Sequence, residues 1–224
     1  MSGFAAIRSL VALAVVGAVA LRRASAAPAP DLIWRLDDPK AVAGLPAEVL
    51  GAPRIEGPEG ARYAVFNGHS DGFILPASPL AGWRAFTIEV LFRPDADGPK
   101  EQRFIHLQDV TTRRLTLETR ILDGQWALDT YLADGPSRRT LLDLKLLHPC
   151  DRWYWAALRY DSQTMTSLVN GKKELAGPVT FAPMVAAHSG IGVRLNRVYW
   201  FKGAIRELRF YSAALADADL AGPP

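Results

Sequence analysis

Asp123-Gly124, Asp134-Gly135 and Asn170-Gly171 each separate stretches in which apolar side chains recur at every second position. Asp-Gly and Asn-Gly tolerate the two left-handed residues of a tight hairpin turn, and a period of two sends successive side chains to opposite faces of a strand. Residues 86–92 are the clearest case: Phe86, Ile88, Val90 and Phe92 share one face, and Thr87, Glu89 and Leu91 share the other. Tyr154, Ala156, Leu158 and Tyr160 alternate in the same way with Trp153, Trp155, Ala157 and Arg159.

Further strands are predicted over 31–37, 61–66, 73–75, 103–108, 114–122, 125–132, 140–147, 165–169, 172–175, 191–197 and 203–211. Pro76 and Pro79 close the strand at 73–75 and mark it as an edge, because proline donates nothing to a ladder. Gly and Pro punctuate residues 39–60 too often for a helix. Only 213–220 reads as helical, with Ser212 as its cap. Short strands roughly 8 to 12 residues apart, with no helices to cross over between them, specify an all-β, two-sheet antiparallel sandwich.

The N-terminus follows a different pattern. Arg8 precedes an apolar run from Leu10 to Leu21, and Ala24-Ser25-Ala26 supplies small residues for cleavage. A run of that length falls short of the about 20 residues that span a bilayer, so residues 1–26 read as a signal peptide and 27–224 as the mature domain. If the segment stays uncleaved, Arg22 and Arg23 make it an anchor and the one route to a membrane. The expected location is secreted, periplasmic or at the cell envelope.

Of the 26 basic residues, Arg8, Arg22 and Arg23 leave with this segment, so 23 basic residues face 23 acidic ones. A balanced surface gives no electrostatic reason to expect nucleic acid as a partner. The single Cys150 excludes an intramolecular disulfide, and its apolar surroundings read as a buried, inert thiol.

Four segments together carry a resemblance. They are Val65-Phe66-Asn67-Gly68 with 70–76; 86–94; 153–161 leading into Val169-Asn170-Gly171-Lys172; and the run from Phe201 to Tyr211 followed by Ala214-Leu215. In order and spacing, residues 31–220 resemble the laminin G-like branch of the concanavalin A-like lectin and glucanase superfamily. The resemblance implies a jelly-roll sandwich. It leaves function open among glycan binding, adhesion or scaffolding, and hydrolysis or lysis of polysaccharides.

Gly68-His69-Ser70-Asp71-Gly72 spells G-x-S-x-G, yet the residues after it form a short strand closed by proline, so it reads as a turn and not a nucleophile elbow. Sandwich glycosidases of the laminarinase type carry Glu-x-Asp on one strand, and this chain has no Glu-x-Asp. A carboxylate pair drawn from separate strands stays open. The four histidines share no zinc-ligand spacing. The resemblance implies one structural calcium ion, for which Asn67, Asp71 and Glu207, or Asp37, offer oxygens; the competing reading is an Asx turn.

Aromatic residues are the strongest functional lead. Trp153, Trp155 and Arg159 share a strand face, and Trp126 and Tyr131 belong to a separate hairpin; a platform of these five is the expected glycan-binding site. Trp34, Trp83 and Trp200 are assigned to packing or loop anchoring. The expectation is an exported, non-catalytic, lectin-like module.

Overall fold

Asp123 and Gly124 take positive φ (49° and 74°), as do Asn170 and Gly171 (50° and 74°), and each pair closes a two-residue hairpin. This computed structural model describes residues 27–224; the proposed signal peptide lies outside the described residues.

In chain order the first strands are β1 (Leu32–Arg35), β2 (Ala41–Val42), β3 (Leu45–Pro46), β4 (Glu48–Leu50), β5 (Arg54–Glu56) and β6 (Tyr63–Asn67). Then come β7 (Gly72–Leu75), β8 (Phe86–Pro94), β9 (Glu101–Asp109), β10 (Arg114–Leu122), β11 (Gln125–Asp134) and β12 (Ser137–Leu141). The last are β13 (His148–Pro149), β14 (Tyr154–Tyr160), β15 (Thr164–Val169), β16 (Lys172–Pro178), β17 (Ala187–Ile191) and β18 (Lys202–Tyr211).

The first sheet runs β16-β15-β14-β8-β18-β6-β5, with β1 also paired to β18; the second runs β12-β11-β10-β9-β17-β7-β4, with β13 paired to β11. Neighbouring strands in both sheets are antiparallel, which confirms the two-sheet sandwich. Their inner faces meet in a core rich in aromatics. Phe92 of β8 stacks on Phe104 of β9 at 4.4 Å, and Trp126 of β11 meets Phe92 edge-on at 5.0 Å. Burying side chains of this size contributes about 1.5–3 kcal/mol each.

Several expected boundaries move, each for a local reason. Residues 39–60 are not a plain connector but contribute β2 to β5. The strand expected at 191–197 lies instead at β17, because Gly192 (φ 75°) turns the chain out of the sheet. β7 is not an edge: β4 pairs outside it, and the prolines follow the strand. The turn expected at Asp134-Gly135 is shifted by one residue, since Asp134 still pairs with Ser137 and Gly135 (φ 56°) leads the loop. The strand expected at 140–147 ends at Leu141.

The helix expected at 213–220 is reduced to a single 3-10 turn, Asp217–Asp219. This tail crosses the outer face of the first sheet as a strap. Leu215 and Leu220 pack with Ala157, Leu168 and Tyr211, while Ala221 N–H donates to Glu89 and Thr87 donates to the Ala213 carbonyl. Ser212 does not cap a helix; its amide and hydroxyl both donate to Asp31. Because of the strap, the outer face of β8 is buried too, with Thr87 and Glu89 essentially inaccessible.

Candidate functional site

Among the described residues, the outer face of the second sheet carries no such cover. Strand alternation turns Arg114, Thr116, Glu118 and Arg120 of β10 outward, and the hairpin register sets Glu118 across from Asp129 and Thr116 across from Tyr131. Next to them, β9 contributes Arg103 across from Glu118 and His106 across from Thr116; a bulge at this point admits Phe104 to the core. Thr140 of β12 faces Tyr131 from the other side. All of these outward side chains but His106 line a hollow of about 230 Å³. It adjoins a second hollow of about 430 Å³ that includes His106, Gln108, His188 and Arg194.

One wall of this groove is the loop over residues 192–201. Both its ends are pinned: Gly192 N–H donates to the Phe104 carbonyl, and Phe201 N–H to the Gly192 carbonyl. A Cβ on Gly192 would meet the Phe66 ring at 2.5 Å, so this position requires glycine for space as well as for its positive φ. Midway, Tyr199 lies over the Arg103 guanidinium at 3.7 Å, and Leu195 N–H donates to His106 Nδ1 at 3.0 Å.

The floor is strongly charged. Arg120 contacts Glu101, Glu118 and Asp129, and Arg103 contacts Glu101 and Glu118. Burial, then the neighbouring Glu118 charge, pushes Asp129 up to about 7 against the pull of Arg120. Burial also opposes ionisation of Glu101, yet hydrogen bonding to Arg103 and the charge of Arg120 outweigh it and hold this carboxyl below its ordinary range. His106 is driven down to about 3, first by burial and then by Arg194, Arg114 and Arg103. It is therefore neutral. With Nδ1 accepting from Leu195, the ring proton sits on Nε2, which has no acceptor.

The five residues expected to form one aromatic platform are not brought together. Trp126 faces inward, is 0% exposed and packs among Phe92, Tyr154 and His148. Tyr131 is half-buried in the groove, with the Arg114 guanidinium 4.9 Å from its ring centre. Trp155 and Arg159 belong to the opposite side of the molecule. Trp155 is buried beneath Arg209 at 4.2 Å, and Arg159 holds the strap through Leu215 O and Asp217. Trp153, just before β14, is half-buried and edge-on to Tyr63 at 5.1 Å. Those two rings border a separate hollow of about 740 Å³ on the outer face of the first sheet.

The proposed calcium ligands do not converge either. Asn67 Oδ1 accepts the amides of His69, Ser70 and Asp71, while Asp71 accepts those of Ala52 and Asn67, which is the Asx-turn arrangement. Glu207 lies on β18 with Arg35 and Arg209. Among the described residues no group of three or more His, Cys, Asp or Glu is placed to hold a metal. The G-x-S-x-G segment is a turn between β6 and β7.

Glu118 and Asp129 were within reach of the sequence. Counting four residues outward in each direction from the Leu122–Gln125 pair that flanks Asp123-Gly124 leads to them. Local Glu-x-Asp spacing hides such a pair because it samples a single strand. Arg194 and Tyr199 carry no signal in the sequence: residues 191–197 pattern as a strand, and Tyr199 lies beyond it.

Comparison with solved structures supports the architecture. Domain 4 of AbnA, a GH43 extracellular arabinanase from Geobacillus stearothermophilus in complex with arabinotriose, superposes with TM-score 0.64 at 20% identity over 86% of this chain and 97% of that one. A CBM40 of the Ruminococcus gnavus IT-sialidase bound to α2,3-sialyllactose gives 0.56 at 18% identity, covering 70% and 93%. The binding domain of botulinum neurotoxin DC in complex with SialylT gives 0.56 at 13% identity, covering 84% of this chain and 49% of that one. At these identities the likeness is one of fold. Comparison with curated proteins finds no match. A laminin G family model covers residues 67–221, and with it the chain belongs to the concanavalin A-like lectin/glucanases superfamily.

Proposed function

We propose that the protein is a non-catalytic glycan-binding module whose ligand lies in the groove over the second sheet. The observation that carries this reading is the convergence of Tyr131, Thr116, Thr140 and a set of arginines in one open groove walled by a loop. Saccharides take hydrogen bonds from such groups along their hydroxyls while a C–H face rests on an aromatic ring. The neighbours of like fold described with arabinotriose and sialyllactose support the same class of ligand. Export belongs to the same proposal, and N-terminal sequencing of the mature protein should begin at Ala27. A glycan array followed by calorimetry tests the binding reading. Tyr131→Ala should abolish a response that Trp155→Ala preserves, and an array with no binder would overturn the proposal.

A hydrolytic reading has one observation in its favour, the facing carboxyls of Glu118 and Asp129, of which Asp129 is pushed up to about 7 by burial. Against it, both groups are nearly inaccessible and Arg120 already occupies both, so no glycosidic oxygen fits between them. Reducing-end release from polysaccharide that Glu118→Gln eliminates would establish hydrolysis instead.

A further inference from the structure

We propose that the groove recognises an acidic saccharide, whose carboxylate or sulfate ester is anchored where Arg114, Arg194 and His106 meet. This rests on the glycan-binding reading and names the ligand class.

The four arginines of the groove fall into two sets. Arg103 and Arg120 are committed to Glu101, Glu118 and Asp129. Among the described residues Arg114 and Arg194 make no ion pair, although both lie in the same hollow. Arg194 is half-buried, and its charge is disfavoured by burial and then by Arg114 and Arg103. Like charges drawn together away from water create an unmet demand for an anion.

His106 adds an unpartnered buried polar group to the lining of the second hollow. It is 1% exposed, and among the described residues its Nε2–H lacks an acceptor where buried polar groups are ordinarily satisfied. The ring lines the hollow that Arg194 shares with the Tyr131 side of the groove. Guanidinium forks and an N–H donor suit a planar carboxylate or a sulfate, and the hydroxyls of Thr116 and Thr140 suit the sugar that carries it. Glu101, Glu118 and Asp129 gather around Arg103 and Arg120, and Asp109, which borders the second hollow, is taken up by Thr111, Arg113 and the Val185 amide, so this end stays positive.

Two matched pairs test this by calorimetry on the purified protein: trigalacturonate against its methyl ester, and a sulfated galactan disaccharide against its desulfated form. At least one acidic member should bind about tenfold or more tightly than its neutral partner at low salt, with the advantage shrinking at high salt. Arg194→Ala and Arg114→Gln should each bring the ratio close to one without altering the circular dichroism spectrum. The His106 Nε2–H resonance should shift with the preferred acidic member alone. Equal binding of acidic and neutral members, or a ratio unchanged in both variants, overturns the acidic-saccharide proposal and leaves glycan binding standing. Binding of no saccharide in either pair or on the array overturns both.

Discussion

Glu118 of β10 and Asp129 of β11 face each other across an antiparallel register, and the Arg120 guanidinium reaches both carboxyls, at 3.2 and 2.5 Å. Burial, together with the like charge of Glu118, outweighs the pull of Arg120 and Arg103 and raises the proton affinity of Asp129 to about 7. Because this pKa is raised on folding, the native state binds the proton more tightly than the unfolded chain does. Stability from this group is complete below about pH 4, where the unfolded carboxyl also protonates, and is lost as pH rises through about 7. The melting temperature of the wild type should therefore fall between these limits relative to that of Asp129→Asn, by a few degrees. Carboxyl NMR of Glu118→Gln should show Asp129 titrating lower, because the like charge is gone.

Trp126 and Tyr131 lie on opposite faces of β11, five residues apart. Trp126→Ala should cost about 3–5 kcal/mol in urea unfolding, as expected for emptying a packed indole site. Tyr131→Ala should change stability by less than about 1 kcal/mol and act on ligand affinity instead.

Cys150 is buried, and its thiol is pushed up to about 11 by burial and then by Asp151 and Asp95. Little thiolate exists at pH 8, so a thiol-specific reagent should label the native protein slowly and the urea-unfolded protein at the rate of a free cysteine.

Asp71 ties the turn after β6 to the segment after β4 through the amides of Asn67 and Ala52. Asp71→Ala leaves both donors without a partner and should cost about 2 kcal/mol. Since protein amides already take these oxygens, calcium and a chelator should give the wild type the same Tm. A calcium-dependent rise would contradict this account of the turn.

The sequence carried the fold because its evidence is local: alternation in β8, β10 and β14, and turn residues that fix the register. The site was harder to read. Trp126 and Tyr131 look alike in the sequence, and only the registration of β11 against the opposing sheet sends one inward and the other out. Arg159 alternates onto an outer face as expected, but no local pattern showed that the chain's own tail would cover that face. Leu215 and Leu220 suggested a helix because their spacing was read within the segment, whereas each meets partners on strands distant in sequence.

The segment between Gly192 and Phe201 is fastened at its base by main-chain bonds and turns at Arg194–Arg197, with Arg194 and Tyr199 on its two flanks. Only Leu195, Asn196 and Arg197 lie between the residues that close the turn, so substitutions there leave both anchor points of the loop on the sandwich in place.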